Sequence, residues 1–544
     1  MATGAEGDRR LGVALSGGGH RAACWSAGAV LGLVDAGVGD RIVSISSVSG
    51  GSITNGMLAA GDPAWRTDRA ALESALAPGL HQWARDGLFF HGPATDTWVG
   101  ATLGLVVAAV GGLLAAVAAS IAAGRGVATS TAAWIATGIA VVLLLAAVLI
   151  TRKVKAPSRM AALVLLGAVV AWPLTFGAVL LATASGWWLL LVWPAAVLLL
   201  LAAAKRFGAR SAAVVTALDR TMFEGRTLQD LADRQIHHVF CATNLRTGNN
   251  LYLTNRAVWG FGHITKPAGD TPLAAAVQAS ACLPGAFLAR TIDDIAGPGT
   301  GTVVLSDGGA YDNMADQWEW GFANRRRYAK EEGPEQEALL AVAQPEAADH
   351  LVVVNASRGM GGESTLVIKP GFKGEVASAL GAKDVLYDVS TTTRRRLLIE
   401  MFDRERKAPS GGHTGLLVHI GTSPYELAGF SGTDPVAKRS AEAAAVLDRL
   451  TDAESGGTTP TPEDRRNWWK AVANRNSGVG TTLGALDPKA AGSTAELLHH
   501  AWVLTRIGTY VLSGWGTLPE PEEDLTDWRR ARFDALVAQG GGGS

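Results

Sequence analysis

Three short segments hold the residue types that acyl transfer needs: a serine hydroxyl to attack, a carboxylate to take its proton, and backbone N–H groups to meet the developing oxyanion. The serine is Ser49, in the run RIVSISSVSGGSITNGML at 41–58. Residues 42–48 are β-rich and Gly50-Gly51 lead into an apolar helix, so Ser49 stands at a strand-to-helix turn, as the nucleophile does in G-x-S-x-G. Ser47 occupies the first glycine position of that pattern, where a small side chain keeps the turn uncrowded, and Gly51 occupies the last. The carboxylate is Asp307, in VVLSDGGAYDN at 303–313. A buried strand is expected at 303–305, and an Asp at a strand's carboxyl end can reach a neighbouring strand's turn. Taken alone, Asp307-Gly308 also reads as an ordinary turn.

The N–H groups come from LGVALSGGGHRAACWSAGAVLGLVD at 11–35. A strand at 11–15, a glycine-rich turn at 16–19 and a helix at 22–34 aim backbone donors at an anion. Gly17, Gly18 and Gly19 can form an oxyanion hole with no Cβ in the way. A nucleotide phosphate loop competes for this geometry, but GxxxxGK[ST] is absent, and Arg21 and Ala22 stand where GxGxxG has its later positions. Arg21 is assigned to tying down the loop and His20 to a structural role.

The elements that must position these residues have to be found in a chain of 544 residues, long enough for two or three cores. Hydrophobic residues make up 48% and charged residues 18%, against about 25% charged in an average globular protein, so the apolar excess must be located. It lies between 98 and 206. Residues 99–123, 126–151 and 160–204 carry no charge, and a bilayer span needs ~20 such residues. Four transmembrane helices are expected, near 99–123, 128–151, 160–183 and 187–204, with Trp98, Trp187 and Trp188 at the interfaces. The basic ends, Arg152, Lys153, Lys155 and Arg159, then Lys205, Arg206 and Arg210, would face the cytoplasm. A buried helical bundle is the alternative. With no charged residue inside any span, the bundle reads as an anchor rather than an ion pathway.

The expected organisation is therefore a catalytic domain in two parts, 1–97 and 207–450, separated by spans at 98–206. A helical C-terminal region at 451–539 follows, and GGGGS at 540–544 reads as an appended flexible linker. A net charge of −1 removes the electrostatic basis for nucleic-acid binding. Cys24, Cys241 and Cys282 are too scattered for a disulfide framework or a zinc knuckle, so neither metal nor cofactor is expected and a reducing setting fits. The N-terminal residues lack the pattern of a cleavable signal peptide, which places the polar parts on the cytoplasmic side.

Together the segments resemble the patatin-like phospholipase family. Gly17-Gly18-Gly19-His20-Arg21 matches its GGGxR loop, Ser47-Val48-Ser49-Gly50-Gly51 its GxSxG elbow with serine in the first glycine position, and Asp307-Gly308-Gly309 its DGG/A motif. FCATNLRTGNNLYLTN at 240–255 is hairpin-like, and AVQASACLPGAFL at 276–288 is similar to the family's ASxxxP helix. The resemblance implies an α/β fold, a three-layer αβα sandwich with a mainly parallel sheet, here interrupted by the transmembrane insertion. It implies a Ser49–Asp307 dyad, an oxyanion hole from Gly17 to Gly19, and hydrolysis of membrane glycerolipid esters without a metal. Low lysine with abundant arginine and alanine points to a bacterial source, and so to a bacterial cell membrane. Two other readings stand beside it: a Ser-His-Asp esterase with His350, His413, His419, His499 or His500 as base, and a membrane scaffold whose patatin-like domain is inactive.

Further along, 350–357 reads as another buried parallel strand that closes the sheet. Residues 393–406 read as a helix with basic ends, lying over the core or on anionic headgroups. Residues 465–518 look helical, with Trp468-Trp469 covering the core or touching a membrane.

Overall fold

The computed structural model describes residues 9–86 and 188–539, except 232–234, 261–262, 268, 285–286, 294–301, 345–346, 358–371, 408–412, 431–434, 456–459 and 480–489. Between the two stretches it describes 102, 104–106, 109 and 110. By its contacts the chain divides into two compact units, one of Met1–Leu88 with Leu218–Ser544 and the other Phe89–Ala217.

In the first unit, apolar runs form strands and stop at glycines. Strand β1, Leu11–Leu15, is buried at every residue and ends at Ser16-Gly17. Helix α1, Gly19–Asp35, starts after Gly18, whose φ of 140° suits a residue without a Cβ. Strand β2, Ile42–Ser47, repeats the device and delivers the chain to helix α2, Gly50–Ala60, with helix α3, Arg69–Asp86, after it.

The sheet is completed by β3 (His237–Asn244), β4 (Asn249–Thr254), β5 (Ala257–Gly260), β6 (His263–Pro267), β7 (Arg290–Asp293), β8 (Thr302–Asp307), β9 (His350–Asn355) and β10 (Thr414–His419). Its order is β10-β9-β1-β2-β3-β4-β5-β6, with β8 paired to β3 and β7 to β8. From β10 to β3 the strands are parallel, giving the α/β fold its mainly parallel heart. From β3 onward they run antiparallel. The segment at 240–255 is the β3–β4 hairpin.

Two strand expectations change. β9 does not close the sheet: its six residues are all buried because β10 covers its outer edge, and β10 was not legible as a strand beforehand. Nor is 303–305 buried throughout. Val303 and Val304 are half-buried, because β8 leaves the parallel layer and pairs with the short β7.

The C-terminal helices belong to the same unit. Helix Ala490–Gly508 lies against α1 so closely that a Cβ on Gly28 would strike the carbonyl of Leu498. Trp469 is fully buried and donates from Nε1 to Thr451 Oγ1 at 2.9 Å, so this aromatic pair covers the core. The segment at 393–406 belongs to helix Phe372–Lys407, which also packs inward through Leu398 and Phe402.

The expected spans at 99–123, 128–151 and 160–183 lie outside the described residues, apart from the few positions named above. The fourth is part of helix Trp188–Gly208, whose uncharged stretch 188–204 falls short of the ~20 residues of a span. Among the described residues no helix is long and apolar enough to cross a membrane, so the four-helix bilayer embedding finds no support there.

Candidate functional site

Strand β2 passes through Val48 into Ser49, whose φ of 51° and ψ of −118° put it on the wrong side of the backbone map for a residue with a side chain. Such a conformation costs roughly 1–3 kcal/mol and persists only where its surroundings enforce it. They do so here by crowding: a Cβ on Gly50 would collide with the Gly19 carbonyl, so the elbow is wedged against the glycine loop of β1. Val48 N–H donates to Leu15 O at 3.0 Å and Gly51 N–H to Ser16 O at 3.2 Å. Ser49 itself is half-buried, open enough to meet a substrate.

Ser47 sits in the first glycine position, and its hydroxyl is fully engaged. It donates to Val239 O at 2.9 Å and accepts from Ser52 Oγ at 3.0 Å and Asn55 Nδ2 at 2.9 Å. The departure from glycine is thus matched by partners on β3 and α2.

Asp307 reaches the elbow by an unexpected route. On one edge of β3, parallel β2 ends with Ser47 opposite Phe240, and antiparallel β8 ends with Asp307 opposite Ala242. The two strands therefore run head-on toward each other and stop two residues apart on their common neighbour, a separation of ~7 Å at 3.3 Å per residue. Cys241 lies between. A Cβ on Gly308 would strike Cys241 O and lie 3.1 Å from Val48, so the chain after Asp307 presses on the elbow. The Asp307 side chain is 1% exposed, and its Oδ1 accepts from Gly309 N–H at 2.8 Å.

The three loop glycines divide. Gly17 is buried and its N–H donates to Asn313 O at 2.9 Å, so this amide is already engaged. Gly18 and Gly19 are half-buried at the N-terminus of α1, where N–H groups lack intrahelical partners and the helix dipole favours negative charge. Arg21 holds the loop from behind, donating to Ala356 O at 2.8 Å and to Ser477 O and Val479 O at 3.1 Å each. His20 is buried beside Cys24 and Thr494, and burial lowers its pKa to about 4.

The segment after Asp307 is itself clamped. Asp312 accepts from the N–H groups of Met314 and Gln317. Arg394 reaches in from the long helix to Asp316 at 2.7 Å and Asp312 at 3.6 Å. Burial and then the neighbouring Asp312 push the Asp316 carboxyl up, with Arg394 opposing them. Sequence reasoning missed these residues, as it missed Asn313 and Ser280. Asp312 and Asn313 lay in the segment 303–313, Arg394 in 393–406 and Ser280 in 276–288, but sequence reasoning assigned none of them this part.

Four of the five histidines have partners of their own. His350 and His413 stand at the amino ends of β9 and β10, across the sheet from Ser49. His350 pairs with Thr414 and Ser513, and His419 Nε2 faces Arg395 Nη1 at 2.8 Å. His499 meets Trp528 O, and His500 meets Thr422 O and Asn476. Burial lowers the pKa of His419 and His499 to about 4 and that of His350 and His500 to about 3. The three cysteines are buried and unpaired to one another. Among the described residues no group of three or more His, Cys, Asp or Glu could hold a metal ion.

The arrangement offers a strained serine, a buried carboxylate on the strand end facing it, and two helix-terminal amides: the parts of an acyl-transfer site. The family comparison points the same way. The family described as Patatin-like phospholipase matches residues 13–315. No curated protein matches the chain. Among solved structures, the crystal structure of VipD from Legionella pneumophila aligns over 99% of this chain and 93% of that one, at 11% identity and a TM-score of 0.23.

Proposed function

Because the chain belongs to the patatin-like phospholipase family and is a lipid acyl hydrolase by that membership, we propose that it cleaves glycerolipid acyl esters with Ser49 as nucleophile and Asp307 as its base. The observation that carries this reading is the head-on approach of β2 and β8 along one edge of β3, which brings the elbow and the carboxylate to a common point.

Asp307 accepts the Ser49 proton as the hydroxyl oxygen attacks the ester carbonyl. The tetrahedral oxyanion is met by the N–H groups of Gly18 and Gly19, with the N-terminus of α1 behind them. Gly17 then serves the loop through its bond to Asn313 rather than the oxyanion. Collapse releases the alcohol, lysolipid or glycerol, which takes a proton from Asp307. Water next attacks the acyl-enzyme, giving its proton to Asp307, and Ser49 is regenerated as the fatty acid leaves.

The substrate is a lipid of the membrane against which the protein works, on the cytoplasmic face of a bacterial cell. Val197, Leu198, Leu200 and Leu201, exposed on helix Trp188–Gly208 and followed by Lys205 and Arg206, supply apolar and basic surface for such contact. The test is acyl release by the purified full chain in detergent, offered phospholipid, lysophospholipid and neutral lipid. Wild type releases fatty acid from at least one, Ser49→Ala and Asp307→Asn from none, and substitution of each of the five histidines leaves the Asp307-dependent activity in place. No release by wild type above Ser49→Ala defeats the reading.

A further inference from the structure

We infer that Ser280 is a positioning residue that sets the backbone of the nucleophile elbow and ties it to the strand end carrying Asp307. The inference rests on the hydrolase reading above. Ser280 is the last residue of helix Leu273–Ser280 and is fully buried. Its carbonyl accepts two N–H groups from opposite sides of the site, Ser49 N–H at 3.2 Å and Gly308 N–H at 3.1 Å. One acceptor therefore joins the residue that attacks to the residue after the base.

Its hydroxyl fixes that carbonyl in place. Ser280 Oγ donates to Cys241 O at 2.6 Å, on the stretch of β3 between the ends of β2 and β8. It lies 2.8 Å from Ser52 Oγ in the first turn of α2, and the Ser49 N–H is 3.2 Å from the same oxygen. Ser52 in turn contacts Ser47, which Asn55 also holds. A continuous polar seat thus runs from Ser280 under the elbow to β2. In a buried site each of these hydrogen bonds is stronger than in water, and an unmatched partner is costly.

Ser49 has a backbone conformation that relaxes unless opposed. Removing the Ser280 hydroxyl frees the helix end to drift, and the nucleophile drifts with it. The loss should fall on the chemical step, because small misplacements of a nucleophile cost on the order of 100-fold.

The experiment compares the full-length wild type with Ser280→Ala, Ser52→Ala, Ser280→Thr, and Ser440→Ala as a remote buried-serine control, whose hydroxyl bonds Phe430 O. Rates of labelling by a fluorophosphonate probe, kcat and KM on the best lipid substrate, and Tm are measured for each. For Ser280→Ala, labelling and kcat should fall together by about 10- to 100-fold with KM within about twofold. Ser52→Ala should fall less and in the same parameter, and Ser280→Thr should recover much of the rate. Ser440→Ala should keep kcat even where its Tm is lowered as far. If Ser280→Ala does not fold, Ser52→Ala carries the test alone. Wild-type labelling and kcat in both alanine variants overturn the assignment while leaving the hydrolase reading intact. If wild type labels no faster than Ser49→Ala, the hydrolase reading falls and this assignment falls with it.

Discussion

Replacing Ser47 by glycine, the residue of the family motif, should weaken this protein rather than improve it. Ser47 is fully buried, so water cannot stand in for its hydroxyl. In Ser47→Ala, Asn55 Nδ2 keeps Ile45 O at 3.1 Å and Val239 O at 3.3 Å, and Ser52 keeps Ser280. The main loss is the 2.9 Å donor to Val239 O, worth about 1–2 kcal/mol in a buried setting. Ser47→Gly removes the Cβ as well, loosening the end of a strand by about 0.5–1 kcal/mol and opening a small void. The expected order is wild type, then alanine about 1–2 kcal/mol below, then glycine about 2–4 kcal/mol below. Urea unfolding of the full chain, read from the transition of the catalytic unit at constant m-value, measures it. A glycine variant as stable as wild type would refute the argument, because it would mean that the polar contacts beneath the elbow contribute nothing.

Gly28→Ala should separate α1 from helix Ala490–Gly508, since the new Cβ meets the Leu498 carbonyl; a loss of about 1–3 kcal/mol in the same assay is expected for overpacking. Arg394→Met leaves Asp312 and Asp316 buried without their cation, and removal of one partner from such a cluster costs roughly 3–5 kcal/mol, read as a lowered urea midpoint at pH 8. Stability should also fall on acidification. Burial lowers the pKa of His20, His419 and His499 to about 4, and of His237, His350 and His500 to about 3. Each is neutral in the fold and binds a proton more readily when unfolded, so its contribution is complete above about pH 6.5 and is lost as pH falls toward 4 and 3, by up to about 1.4 kcal/mol per pH unit. Unfolding curves from pH 8 to pH 5 that show no decline below 6.5 contradict this.

The sequence disclosed those parts of the site that local chemistry dictates. Strand, glycine turn and helix at β1–α1 and β2–α2 follow from apolar runs broken by Gly17 to Gly19 and by Gly50-Gly51, and both were expected within a few residues of their bounds. The direction of β8 was not legible, because Val303-Val304-Leu305 has the same pattern whether its strand runs with β3 or against it. Asn313, and Ser280 in part, act through backbone carbonyls, which no residue type advertises. Arg394 meets Asp316 across a wide sequence separation, and an arginine among Arg394-Arg395-Arg396 looks like any other basic helix face. The histidines mislead for the opposite reason: their chemistry is versatile, yet each of the six with lowered pKa is buried as a neutral part of the structure.

The strand order also governs when the protein can become active. β2 and β3 are hydrogen-bonded neighbours, yet the whole Phe89–Ala217 unit is synthesised between them, and the other neighbour of β1 is β9. A ribosome that has just released Ser49 has on the order of 15 to 60 s of translation ahead before Ala356, whose carbonyl receives Arg21, emerges at about 5–20 residues per second. Until then the glycine loop lacks its clamp, and until Asp307 is made the elbow also lacks β8. With Ser49 and Asp307 as the proposed pair, a nascent chain should be catalytically silent, and a truncation before β9 should yield an inert fragment.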